Sequence, residues 1–131
     1  MKKASKVKHL SRTKLHKKAW SLQSEYIRRL EKGICYTCGT HENWKECNAG
    51  HYIHGNHMDF YIPNIHCQCV RCNKYLSGNQ GIYAERLISD YGLQTVNEMR
   101  EYDRTHKGHR FNIFELENLI ETYKQKLQTL T

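Results

Sequence analysis

Two Cys-x-x-Cys pairs, Cys35/Cys38 and Cys69/Cys72, bracket a 30-residue stretch of this chain. Each pair bends the backbone so that both sulfurs face one point, and two such turns complete a tetrahedral site of four thiolates. One Zn2+ per chain held there ties the two ends of the intervening loop together. Four protein ligands leave no open position, so this ion is expected to be structural. His41 and His66 are further possible donors, but nothing in the spacing prefers them to the thiols. Cys47 and Cys67 fit neither pair and read as small buried residues.

The composition makes such a staple useful. The chain has 131 residues, enough for one domain with an arm, and only 38% of them are hydrophobic. A small core of that kind gains from a metal. No apolar run approaches the roughly 20 residues of a membrane span, and none resembles an export signal. With the Cys-x-x-Cys spacing, this points to a reducing, cytoplasmic setting and to zinc over disulfides. Neither a membrane nor a small-molecule substrate is expected as a partner.

Net charge is +8, and its placement is uneven. Lys2, Lys3, Lys6, Lys8, Arg12, Lys14, Lys17 and Lys18 fall within residues 1–18, where there is no acid; the remaining 13 basic side chains balance 13 acidic ones. Residues 1–14 are expected to form a basic arm, disordered without a partner, and 15–131 a single domain. Such arms bind polyanions, nucleic acid above all.

Apolar residues recur at helical spacing from Leu15 through Ala19, Leu22, Tyr26 and Leu30, and Gly33 is a natural stop. Trp44 to Ile53 reads as a strand or hairpin, and His54 to Pro63 as a polar loop. A short helix is expected from Cys69 or Val70 to Leu76, stopped by Ser77-Gly78-Asn79. Further helices are expected near 82–90 and 94–104. The last begins at Asn112, with Glu115 three residues on as a capping box. Its stripe of Leu116, Ile120, Tyr123 and Leu127 suits a core or a dimer seam.

Between the knuckles lie His51 and Asn64, and Asn73 follows the second knuckle directly. A histidine can accept a proton from water near neutral pH. An asparagine beside a zinc-fixed cysteine offers a neutral oxygen to Mg2+ or Mn2+. Together they suit phosphodiester hydrolysis. On spacing alone, however, nine histidines leave the base ambiguous.

The order His51, Asn64, Asn73, with Asn73 directly after Cys72, resembles the HNH pattern of His-Me finger (ββα-metal) nucleases. The four-cysteine variant ending in Cys-Asn is similar to phage endonuclease VII, a Holliday-junction resolvase. Cys-x-x-Cys-Gly-Thr, Ala49-Gly50-His51-Tyr52, Asn64-Ile65-His66-Cys67-Gln68-Cys69, Cys72-Asn73 and Leu76-Ser77-Gly78-Asn79 resemble the lambdoid phage NinG (Rap) recombination proteins over roughly residues 15–128.

The resemblance implies an α+β, mostly helical fold: a zinc-stapled ββα-metal core flanked by an N-terminal helix and C-terminal helices. It implies a metal-dependent, structure-selective endonuclease acting on branched DNA such as Holliday junctions, working as a homodimer. His51 matches the general base, Asn64 the residue that braces the hairpin loop, and Asn73 the ligand of a catalytic Mg2+ or Mn2+. Where many HNH enzymes carry a second, acidic ligand, this chain has Gly50, so His54, His57 and Asp59 become candidates. His66 either contacts phosphate or packs beside the zinc site. The alternative is a non-catalytic zinc-binding adaptor for DNA or RNA.

Overall fold

Ser11 opens the first helix: its hydroxyl accepts the Lys14 N–H at 3.2 Å, a serine N-cap. This computed structural model describes residues 10–130, so Lys2, Lys3, Lys6 and Lys8 of the basic arm lie outside the described residues. Helix α1 runs Arg12–Leu30. Arg12 and Lys14 therefore sit on a helical first turn and not in an arm, with Lys17 and Lys18 exposed one turn further on. Leu15 and Ala19 on its inner face pack against Leu116 and Ile120 of the last helix, Ile113–Thr129, here α4. The Asn112 side chain accepts the Glu115 N–H at 2.8 Å while Glu115 accepts the Asn112 N–H at 3.0 Å, closing the capping box. The two long apolar stripes thus cover each other within one chain.

A second core lies under α2 (Gln80–Tyr91) and α3 (Leu93–Thr105). Gly92, at φ 91°, makes the break between them. Tyr83, Leu87, Val96 and Met99 pack there with Tyr36 and Met58.

Between these layers sits a two-stranded antiparallel sheet of β1 (Asn48–His51) and β2 (Ile65–Gln68). Gly50 faces His66 and His51 faces Ile65. The strand expected from Trp44 is shorter than its pattern implied. Asn43 caps a 3-10 turn over Trp44–Glu46, its side chain accepting the Lys45 N–H at 3.0 Å. After β2, the expected short helix is a π-wound turn, Arg71–Tyr75, in which the Leu76 N–H reaches Arg71 O at 2.8 Å. Ser77, Gly78 and Asn79, all at positive φ, end it at once. Asn79 then donates to Cys72 Sγ at 3.7 Å. The result is α+β and mostly helical. Among the described residues, no helix is long and apolar enough to cross a membrane.

Candidate functional site

Cys35, Cys38, Cys69 and Cys72 converge, with all four sulfurs within 4.8 Å of one another. Cys38 Sγ and Cys69 Sγ are 3.7 Å apart. Sulfurs at about 2.3 Å from a tetrahedral zinc stand about 3.8 Å from each other, so the donor set fits that ion. The Cys38 and Cys72 N–H groups point at Cys35 and Cys69 Sγ at 3.5 and 3.4 Å. Thr37 Oγ1 lies 3.4 Å from Cys35 Sγ and Thr40 Oγ1 3.1 Å from Cys38 Sγ. Every sulfur therefore has a polar neighbour suited to a thiolate. Burial works to raise the Cys35 thiol, but hydrogen bonds from Thr37 and the neighbouring backbone bring it down to about 6. Burial pushes Cys69 up to about 12 and raises Cys72. The charge of a bound dication is what would strip the remaining protons. Cys47 and Cys67 are buried away from this cluster and raised by desolvation.

The cluster joins the segment before β1 to the turn after β2, and the loop between the strands is braced by Asn64. That side chain is fully buried. Its Oδ1 accepts the Ile53 N–H at 2.7 Å, and its Nδ2 donates to Ile53 O at 2.8 Å and Met58 O at 3.3 Å. Its own carbonyl accepts the Tyr52 N–H at 2.9 Å. Four bonds hold the backbone that follows His51.

His51 ends β1. Its Nε2–H donates to Asp59 Oδ1 at 2.7 Å, and His16 Nε2–H donates to Asp59 Oδ2 at 2.7 Å. An ionised carboxylate only accepts, so both imidazoles carry their proton on Nε2. A neutral His51 then has a lone pair on Nδ1, which bonds no protein group among the described residues. The Trp20 ring stacks on His51 with centroids 4.8 Å apart, and His54 stacks at 5.5 Å. Gln23, buried in α1, donates to Asp59 O and accepts from Tyr123 Oη at 2.8 Å. Helix α1 thus sets the position of Asp59 through both backbone and side chain.

Trp20, His54 and Asn73 line one open groove of about 690 Å3, with Arg28, Lys45 and Lys74 along it. His51 lies against its wall, stacked on two of its lining rings; no hydrogen bond joins His51 to Asn73. Arg28 is tied down by the Trp44 and Cys47 carbonyls at 3.3 and 3.4 Å, whereas Lys45 and Lys74 are exposed.

Three sequence expectations need correction. Asp59 does not line the groove: it is buried, and each oxygen accepts from an imidazole. His57 is buried and bonds Asp103 on α3 at 2.7 Å, away from the groove. His66 does not contact phosphate: it is 6% exposed, bonds Glu31 at 2.6 Å and stacks on Tyr36 at 3.8 Å. Only His54, exposed in the groove, remains of the proposed second ligands. Gly50 also has a local reason. A Cβ there would sit 1.9 Å from Oε1 of the fully buried Gln68, so an acid at this position would force that side chain to move.

Sequence reasoning missed His16, Trp20 and Gln23. Their signal was present on α1, where positions 16, 20 and 23 recur at helical spacing beside the apolar stripe.

The family described as bacteriophage lambda NinG protein matches residues 1–131. This chain belongs to the NinG family. It is 35% identical to the NinG protein of Escherichia phage lambda over 118 residues, 87% of this chain and 56% of that protein. Against NinG of Salmonella phage P22 it is 34% identical, with the same coverage of each chain. Identity to NinG of Escherichia phage 933W is 33%, over 87% of this chain and 57% of that one. The chain therefore spans little more than half the length of these NinG relatives. No solved structure matches it.

Proposed function

We propose that this NinG-family chain is a divalent-cation-dependent DNA endonuclease of the His-Me finger type, cutting branched DNA such as four-way junctions. The observation that carries the reading is the Asp59-held His51, whose Nδ1 lone pair has no protein partner among the described residues, beside a cationic groove.

The chemistry follows from the tautomer. Asp59 fixes the proton on Nε2, so Nδ1 of His51 takes a proton from water. The water oxygen forms a bond to phosphorus as the bond to the 3′ oxygen breaks. That oxygen leaves with a proton from solvent. Lys45 and Lys74, which line the groove, would bind the flanking phosphates, and Arg28 would add positive potential from a fixed position. Trp20 and His54 hold the imidazole plane.

Asn73 and His54 are the groove residues that would hold the cation. No carboxylate lines the groove among its described residues, so the donor set fits an ion whose shell is completed by substrate phosphate and water. When bound, it supplies Lewis-acid stabilisation of the developing negative charge.

That thin donor set also favours the second reading, a zinc-stabilised DNA-binding adaptor without catalysis. Zinc-loaded protein incubated with a four-way junction or a matched linear duplex, with Mg2+ or Mn2+, separates the two. The nuclease reading expects nicks in the junction, dependent on the cation and lost in Asn73→Ala. Junction binding with no cleavage under either cation would establish the adaptor.

A further inference from the structure

Away from the groove, a second concave site lies between the first two turns of α1 and the loop that leads into α4. Its volume is about 180 Å3, several times the roughly 30 Å3 that one water takes in the liquid. Arg12, His16 and Lys17 line it from the helix, and His109, Arg110 and Phe111 from the loop. Among the described residues no carboxylate lines it. Asp59, behind His16, has both oxygens engaged by imidazoles. Three permanent cations and two imidazoles around one cavity repel one another unless an anion sits among them.

The cavity is built on a fixed floor. The Phe111 ring packs edge-on against Phe60 at 5.2 Å and His109 at 5.3 Å, and tilts onto His16 at 6.0 Å. Aromatic packing of this kind sets the positions of the two imidazoles before any ligand arrives.

We infer that this cavity binds a backbone phosphate of the DNA strand whose cut the groove would make. Helix α1 links the two sites. Thr13, His16 with its neighbour Lys17, Trp20, Ser24 and Arg28 follow along the helix, each step from Thr13 to Arg28 covering three or four residues. The first three line the cavity and the last three the groove. At about 1.5 Å per residue, their midpoints are about 13 Å apart along the axis. That equals the axial rise of about four base pairs of B-form DNA at about 3.4 Å each. A strand laid along α1 passes over the Trp20–His51 stack and places one phosphate in each site. The choice of DNA as the polyanion rests on the nuclease reading; the anion site itself rests on the residues that line it.

The test is made in a His51→Ala background, so that binding is measured without cleavage whether or not the chain cuts. Zinc-loaded protein is titrated with a four-way junction at several salt concentrations. Arg12→Ala with Arg110→Ala is compared with Lys124→Ala with Lys126→Ala, which removes the same charge from the exposed side of α4. Losing one phosphate contact flattens the slope of log K against log salt by about 0.9, or about eightfold in affinity at 0.1 M salt. The inference expects that loss for the cavity pair and less than twofold for the α4 pair, with zinc content unchanged in both. An equal loss in both pairs, or none in the cavity pair, would overturn it. In the parent, inorganic phosphate should shift the ring resonances of His109 but leave those of His66 in place; an unmoved His109 would also count against the site.

Discussion

Asp59→Asn removes the group that fixes the proton on His51 while keeping its shape. In the native fold, two imidazole N–H groups donate to one carboxylate at 2.7 Å each, and the Asp59 side chain is only 12% exposed. A carboxamide offers one accepting oxygen and one donating NH2. One imidazole keeps its bond; the other faces a donor and must move its proton to Nδ1 or turn away. Hydrogen bonds to a charged group contribute about 1.5–3 kcal/mol each, so a loss of about that size is expected. At about 4 °C per kcal/mol for a domain of this length, the melting temperature falls by about 6–12 °C. The effect on cleavage is larger. If the His51 proton moves to Nδ1, that nitrogen cannot accept one from water, and the nicking rate drops by about 10²–10⁴. His16→Ala breaks only the outer bond and leaves His51 paired, so its nicking rate should fall less than tenfold. Single-turnover nicking of a four-way junction, measured below the melting temperature of each variant, reads these numbers. An Asp59→Asn protein whose His51 carries its proton on Nδ1, read from its ring nitrogen resonances, yet nicks at the wild-type rate would refute the assignment of His51 as base.

Further outcomes follow from the same geometry. Cys35→Ser should lose zinc and the melting transition together, since binding and folding are coupled at such sites; a folded variant with one zinc would contradict the ligand set. Gly50→Asp should destabilise by about 1–3 kcal/mol without improving cation affinity, because its Cβ collides with Gln68; unchanged urea unfolding would show that the strand yields. In zinc-loaded protein at pH 8, thiol alkylation should be slow at Cys47 and Cys67, which burial keeps protonated above the usual thiol range, and should become fast after zinc removal with denaturant. Rapid labelling of either in the native state would contradict their burial.

Some of this was legible in the sequence and some was not, for physical reasons. The four cysteines announce themselves because a Cys-x-x-Cys turn is a local geometry that two residues settle. The α4 capping box is local in the same way. Asp59 was misread because its partners are 8 and 43 residues away, brought in by 3-10 turns that have no periodic signal. His66 was left between phosphate and packing because strand alternation normally exposes every second residue, whereas all four residues of β2 are buried between α1 and α2. The short helix after Cys69 is a π-wound turn of five residues, ended by the left-handed backbone of Ser77-Gly78-Asn79.

The most direct test of the central claim is the nicking of a four-way junction by His51→Ala beside wild type, each carrying one zinc per chain, in Mg2+ or Mn2+. The account predicts cation-dependent nicks from the wild type and none above background from the variant, with junction binding retained in both. Equal cleavage by the two proteins would contradict it.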